Sequence, residues 1–174
     1  MTVLDDIEAS IPALRRYARA LVRDCNRADD LVQDCLERAV AKRHLWRGDG
    51  PVQAWLFRIL INRYRDLQRQ NPVPGHLVAI EDLTFEPAQC GGQDASLALR
   101  EVQDAMTRLP GDQREALLIV VLEGKTFDQA ASLLDIPKGT LMSRLARARA
   151  TLRLLTGRNS GPTLTKGPSQ GAKP

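Results

Sequence analysis

The apolar residues of this 174-residue chain recur at intervals of three and four, and this spacing restricts the fold more than any other feature. In "IPALRRYARALV", Leu14, Tyr17, Ala18 and Leu21 fall on one side of a helix. Further helices are predicted in "DDLVQDCLERAVAKRHL", "VQAWLFRILINRYRDLQRQ", "LREVQDAMTRL" and "GDQREALLIVVLE". Because aromatic residues make up only 4% of the chain, Leu and Ala must fill the core, which favours helices packed on helices. The predicted fold class is all-α.

One stretch interrupts this pattern. Between "NPVPGH" and "CGGQDAS" the apolar period disappears and Pro and Gly accumulate, which is typical of a linker. A structureless loop of that length is uncommon inside one compact domain. We therefore predict two small helical domains, residues 1–70 and 97–156, joined by a flexible linker over 71–96, with a disordered tail over 157–174.

Composition narrows the class of protein. The three cysteines, Cys25, Cys35 and Cys90, show no CxxC spacing, so we expect neither a metal site nor a disulfide framework, and we interpret them as reduced thiols with Cys35 in the core. No apolar run approaches the roughly 18 residues that cross a membrane. The acidic start "MTVLDDIEAS" does not have the order of a secretion signal. A cytoplasmic protein without membrane insertion is expected.

The C-terminal half carries a helix-turn-helix pattern. "TFDQAASLLD" opens with a capping box formed by Thr126 and Gln129, and the short turn "IPKG" follows it. The buried face of this helix is expected to consist of Phe127, Ala130, Ala131 and Leu134. The helix after the turn has an apolar ladder formed by Leu141, Leu145, Ala148, Leu152 and Leu155.

Positive charge is concentrated on this last helix. From Ile136 to Arg158 there are one Lys and five Arg and no acid. Arg can bond guanine through two hydrogen bonds, and Lys138 and Thr140, near the helix start, are placed for phosphate. The alternative is that this basic face is only solvated. Because the basic residues occur together with the turn and the apolar ladder, we favour DNA contact. The predicted contacts are Lys138, Thr140, Ser143, Arg144 and Arg147.

Negative charge is concentrated elsewhere. Residues 29–37 hold four acids and no base, which suits a basic protein partner, although Asp29 or Asp30 could instead be the N-cap of a helix. Trp46, beside the "RGDG" loop, is a candidate for stacking with unpaired bases. Trp55 has the spacing of a core residue, and the role of Tyr64 is left open.

Two blocks of the chain resemble a known family. "LPGDQREALLIVVLEGKTFDQAASLLDIPKGTLMSRLARARATLR" is similar to region four, the minus-35-reading domain, of bacterial sigma-70 family sigma factors of the extracytoplasmic function (ECF) type. "ADDLVQDCLERAV" and "WRGDGPVQAWLFRILINRYRD" resemble the polymerase-docking and promoter-melting parts of region two. The likeness covers about residues 10 to 155.

This resemblance implies partners and roles. The partners would be promoter DNA, the RNA polymerase core (beta prime coiled coil and beta flap) and an anti-sigma factor. The free chain would keep its two domains folded against each other or held by that inhibitor. Asp30, Gln33 and Asp34 match the positions that grip beta prime. The minus-10 contacts would be Trp46, Arg58, Asn62, Arg63 and Arg65, while Pro51 and Gln53 depart from the family pattern and leave the base preference open.

Two other classes of function are alternatives for this chain. A stand-alone helix-turn-helix regulator would need neither the acidic segment nor the Trp46 loop. An enzyme is disfavoured because the chain has no GxGxxG, P-loop or HExxH, and His44 and His76 have no metal partner at useful spacing. We expect no catalysis and no cofactor. The sigma interpretation requires Arg144 and Arg147 to lie outside the apolar interior, and two tethered bundles rather than one fused globule.

Overall fold

Every regular element in the described part of the chain is helical, which confirms the all-α fold class. The computed structural model describes residues 2–22, 24–46, 48, 50–70 and 97–157, with only the backbone of residues 97–100. The helices are α1 (Val3–Leu21), α2 (Cys25–Ala41), α3 (Val52–Gln70), α4 (Leu97–Thr107), α5 (Gly111–Val121), α6 (Phe127–Leu134) and α7 (Lys138–Leu155). A single 3-10 turn, Arg43–Leu45, follows α2. The predicted linker and almost all of the predicted tail lie outside the described residues.

Helices α1, α2 and α3 pack on one another as a three-helix bundle. Tyr17 of α1 and Phe57 of α3 meet edge to face at its centre, with ring centroids 5.2 Å apart and an interplanar angle of 88°. Both side chains are fully buried. Trp55 and Trp46 are only partly buried and pack against the periphery of the core. The first half therefore has its own apolar centre, as the spacing predicts.

Two helix starts differ from the sequence prediction. Helix α1 begins at Val3, well before Ile11, because Thr2 and Asp5 form a capping box at its N-terminus. Helix α2 begins at Cys25, and its N-cap is Asp24, whose carboxylate accepts a hydrogen bond from the Arg27 amide at 3.0 Å. The expectation that Asp29 or Asp30 caps this helix is wrong. Both acids lie exposed within α2.

Helices α4 to α7 form the second half. The guanidinium of Arg114 binds the C-terminal end of α4. It donates hydrogen bonds to the carbonyls of Met106, Thr107 and Leu109 at 2.8, 2.6 and 2.9 Å. A cation is well placed there because the last carbonyls of a helix carry partial negative charge. A further bond from Arg114 reaches Leu21 O, at the end of α1, at 3.0 Å. One buried side chain thus joins both halves.

The helix-turn-helix prediction is reproduced closely. Thr126 and Gln129 form the expected capping box at the start of α6. Asp135 ends that helix in the left-handed conformation with φ 54°, and Pro137 is the N-cap of α7. The buried faces are shorter than predicted, because Phe127 is 36% exposed and Leu155 is 40% exposed at the ends of their helices.

The two halves are packed together. One cluster of buried apolar side chains runs through both, from Leu14 and Ile61 in the first half to Ile119 and Leu134 in the second. Helix α1 contacts α5, and α3 contacts α6. Of the two arrangements that the resemblance implies for the free chain, this is the one with the domains folded against each other. The expectation of two separate tethered bundles therefore does not describe this closed state.

The cysteines differ from each other. Cys35 is a free, buried thiol, as expected, and its S–H donates to Leu56 O at 3.4 Å. Burial raises the pKa of Cys35 to about 12. Cys25 is disulfide-bonded, which corrects the expectation of a reduced thiol at that position.

Candidate nucleic-acid interface

The basic face of α7 lies on the surface. Leu141, Leu145 and Ala148 point into the core, and the polar side chains lie on other sides of the helix. Of the predicted contacts, Lys138, Thr140 and Arg147 are exposed, and Ser143 and Arg144 are half-buried. No acid lies within α7 itself. The structure therefore brings the five predicted residues together on one accessible helix.

Two acids from neighbouring helices approach this face. Lys138 Nζ lies 2.8 Å from Asp128 Oδ1, and Arg144 Nε lies 3.3 Å from Asp112 Oδ2. Arg147 donates to Ser143 Oγ at 2.7 Å. Ion pairs at the surface contribute about 0 to 1 kcal/mol, so phosphate oxygens can replace these partners at little cost. Arg144 and Arg147 are outside the apolar interior, as the sigma interpretation requires.

The predicted minus-10 residues do not form one cluster. Arg58, Asn62 and Arg65 recur at helical spacing on α3, so they share one side of that helix. Arg63 lies on another side, where its Nε is 2.7 Å from Asp34 Oδ2 of α2. Trp46 is not on α3 but in the connection between α2 and α3.

The shared side of α3 is turned toward the second half. Arg58 donates to Ser132 O at 2.9 Å. Arg65 donates to Glu115 Oε2 at 2.8 Å and to Leu134 O at 3.2 Å. Two predicted DNA contacts are therefore occupied within the closed chain. The sequence analysis did not identify Glu115 as the partner of Arg65, although an acid directly before the apolar run "ALLIVV" was a signal.

Glu115 is an unusual acid. Its side chain is only 4% exposed, and burial raises its pKa despite the hydrogen bond and positive charge of Arg65, which act in the opposite direction. The backbone carbonyl of Glu115 also accepts a bond from the Tyr17 hydroxyl at 3.3 Å. Glu115 thus contacts both α1 and α3 of the first half.

A shallow cleft lies beside Trp46. The first turns of α1 and the start of α3 line it, with Asp6, Ser10, Trp46, Val52 and Gln53 among its walls. Gly48 and Gly50 next to it have φ values of 78° and 110°, a region that favours glycine. An aromatic wall in an open cleft can accept a planar base.

The acidic segment forms part of the surface of α2. Asp30 and Gln33 are exposed, and Gln33 Nε2 donates to Glu37 Oε1 at 3.0 Å. Asp34 is less accessible because of its pair with Arg63. Asp29 lies 3.5 Å from Arg19, a loose surface pair. The three predicted polymerase-binding residues therefore lie on one helix, and among the described residues only Asp34 of the three forms an ion pair with a base.

Comparison with known proteins agrees with this geometry. Residues 7–61 match the family model described as the Sigma2 domain of PhyR, and residues 99–152 match Sigma-70, region 4. The chain is 38% identical over 155 residues to the ECF RNA polymerase sigma factor EcfG of Rhodopseudomonas palustris, covering 87% of this chain and 83% of that protein. The chain belongs to the ECF RNA polymerase sigma factors. It is 35% identical to SigM of Mycobacterium tuberculosis, over 88% of this chain and 76% of the relative.

Solved structures support the same family. This sigma factor superposes with a TM-score of 0.69 and 33% identity on RpoE from Bartonella quintana, solved in complex with the anti-sigma factor NepR, over 90% of this chain and 97% of that one. It also matches CnrH, solved with the cytosolic domain of CnrY, at 28% identity and a TM-score of 0.61, over 85% and 82% of the two chains. Nothing favours the alternative of a stand-alone regulator.

Within the described ranges, no group of three or more His, Cys, Asp and Glu is arranged to hold a metal ion. Over the same part of the sigma factor, no helix is long and apolar enough to span a membrane.

Proposed function

We propose that this sigma factor docks on RNA polymerase core through α2, reads the minus-35 element with α7 and contacts the minus-10 element with α3 and the Trp46 loop. One observation carries the proposal. The exposed face of α7 has basic and hydroxyl side chains and no acid, whereas residues 29–37 of α2 carry four acids and no base. Opposite charges on two separate surfaces suit two different partners, a polyanion and a basic protein.

For the minus-35 element we assign Lys138, Thr140, Ser143, Arg144 and Arg147. The first two lie at the N-terminal turn of α7, from which side chains and amides reach phosphates. Arg144, which is half-buried, and Arg147, which is exposed, lie one turn apart on α7, and a bidentate contact from Arg to guanine contributes about 1–3 kcal/mol of discrimination. Loss of such a contact relaxes specificity at one base, whereas loss of a phosphate contact weakens binding to DNA of every sequence.

For the minus-10 element we assign Trp46, Arg58, Asn62, Arg63 and Arg65. Trp46 supplies a face for an unstacked base, and stacking is worth about 1–3 kcal/mol. Asn62 is exposed and lies between Arg58 and Arg65 on α3. Since these two arginines contact the second half here, the assignment requires the halves to separate on the polymerase.

The test is transcription reconstituted from purified core and this chain on a pool of randomised promoters. We expect Arg147→Ala to change the selected upstream sequence while core binding is unchanged. Arg149→Ala is the matched control, since Arg149 is also exposed on α7 but lies on a different side. Identical selected promoters for wild type and Arg147→Ala would refute the assignment.

Docking is tested by competition for core. Asp30→Arg reverses an exposed charge without disturbing the pair between Asp34 and Arg63, and we expect it to weaken core binding. Asp34→Arg should weaken it as well and also repel Arg63. The control is Glu8→Arg on the exposed side of α1. Equal competition by all four proteins would remove α2 from the docking surface.

We also propose an anti-sigma factor as a partner and the cytoplasm, where polymerase acts, as the location. Support comes from RpoE of Bartonella quintana, which is 33% identical and was solved with NepR. Purified NepR from that organism is a direct probe. It should reduce transcription by this sigma factor, and an unchanged transcript yield with saturating NepR would argue against an inhibitor of that type.

A further inference from the structure

Three arginines of the first half face the second half. Arg16 of α1 lies 3.0 Å from Glu123 Oε1 and 3.1 Å from Glu123 Oε2. Arg58 and Arg65 of α3 reach the end of α6, as described above. Helices α1 and α3 pack side by side, so the three guanidinium groups belong to one surface of the bundle. We call this surface, Arg16, Arg58 and Arg65, the arginine face.

Every partner of the arginine face in the second half is an oxygen acceptor. Glu115 and Glu123 each have a side chain only 4% exposed, so these two charges are withdrawn from water in the closed chain. The carbonyls of Ser132 and Leu134 belong to the last turn of α6, where the helix dipole places partial negative charge. Carboxylates and oriented carbonyls present arginine with the same chemistry as the phosphate oxygens of DNA.

We propose that the arginine face is one anion-binding surface with two alternative occupants, the acids and α6 carbonyls of the second half in the closed chain and DNA phosphates in the open chain. The inference rests on the proposed function and deepens it. It adds Arg16 to the DNA contacts, and it assigns Glu115 and Glu123 as internal substitutes for phosphate. The two occupants exclude each other because they use the same guanidinium groups.

The physical reason is charge balance. Separating the halves leaves three arginines without acceptors, and a polyanion restores the hydrogen bonds. Arg16 has a side chain 53% exposed even in the closed chain, so it can change partner with little rearrangement. Each arginine that neutralises a phosphate of single-stranded DNA contributes about 0.7 to the slope of log K against log salt. Three such contacts therefore contribute about 2.

The experiment uses the full chain without polymerase and a fluorescent single-stranded oligonucleotide of mixed sequence. Charge reversal in E115K/E123K places Lys against Arg65 and Arg16 and should open the chain, seen as a larger radius of gyration in small-angle scattering. E123K alone is the milder variant, to be used if the double variant does not show a native circular dichroism spectrum. The control, E101K/D104K, makes the same change in net charge on the exposed side of α4.

We expect the opened chain to bind the oligonucleotide with a salt slope steeper than wild type by about 2, and R16A/R65A added to it should remove about 1.4 of that gain, leaving the part contributed by Arg58. When R16A/R65A is added to the control E101K/D104K, the salt slope of oligonucleotide binding should not change. The inference is overturned if the opened chain binds no better than wild type, or if the reversed chain stays closed. Neither result concerns transcription by wild type with core, which tests the proposed function separately.

Discussion

Replacing Tyr17 by Phe is the cleanest test of the contact between the halves. The hydroxyl of Tyr17 donates to Glu115 O at 3.3 Å, and the substitution removes this bond without altering the ring. The ring itself is fully buried and meets Phe57 edge to face, so packing in the first half is unchanged. Burial raises the pKa of Tyr17 well above its usual value, which keeps the hydroxyl protonated and able to donate.

The expected loss is small and can be bounded. A net intramolecular hydrogen bond contributes about 0.5–1.5 kcal/mol, and the 3.3 Å separation is long for an O–H donor, so we expect a value near 0.5–1 kcal/mol. For a protein of this size, 1 kcal/mol moves the Tm by about 2–4 °C. Tyr17→Ala should instead cost about 3–5 kcal/mol, because it leaves a cavity and removes the aromatic pair.

Thermal unfolding of wild type, Tyr17→Phe and Tyr17→Ala by differential scanning calorimetry measures both effects. Tyr17→Phe should lower the Tm by about 1–4 °C, and Tyr17→Ala should lower it several times more. If Tyr17→Phe cost as much as Tyr17→Ala, the hydroxyl and not the ring would dominate. If Tyr17→Phe cost nothing, the contact with Glu115 would not be part of the folded chain.

Buried groups give three further predictions. Leu145→Ala should lower the free energy of unfolding by about 2–5 kcal/mol in urea titrations, while Leu154→Ala on the surface should change it by less than about 0.5 kcal/mol. Because burial raises the pKa of Glu115, the stabilisation from its bound proton is complete below the unfolded pKa of about 4.3 and is lost as pH rises through the folded pKa. Wild type should therefore lose stability relative to Glu115→Gln across that window, and Tm curves that run parallel over pH would contradict this. Cys35, with a pKa of about 12, should resist iodoacetamide in the native chain and react once guanidinium unfolds it, as read by peptide mass spectrometry; equal rates in both states would contradict its burial.

The local signals in the sequence were sufficient to predict where the helices lie. Each helix carries an apolar stripe, and the second half adds the capping box at Thr126 and the turn before Pro137, which depend only on neighbouring residues. Helix starts were harder to predict. "RDCNRADD" offers several side chains that can cap a helix, and burial of Ala28 and Leu31 requires the helix to start early enough to be capped by Asp24. That choice depends on packing that no local pattern contains.

The contacts between the halves could not be predicted for a related reason. Arg65 and Glu115 are 50 residues apart in sequence, and Arg16 and Glu123 are 107 apart. Nothing in the spacing of charges says which Arg meets which acid. The prediction of Arg58 and Arg65 as DNA contacts rests on the family resemblance, and no local pattern shows that the chain itself supplies oxygen acceptors for both side chains.

The two DNA-reading surfaces differ in availability, and this difference suggests an order of events for the proposed function. In the closed chain Asp30 and Gln33 of α2 are exposed, and so is the basic face of α7, whereas Arg58 and Arg65 of the arginine face are hydrogen-bonded to the second half. Docking on polymerase can therefore begin before the halves separate. Under the proposed assignment, contact of Arg58 and Arg65 with the minus-10 element cannot, because both must first leave Ser132, Leu134 and Glu115. The free energy of docking must then offset the hydrogen bonds and ion pairs that break when the halves separate, so a chain that is harder to open should need more polymerase for the same rate of promoter melting.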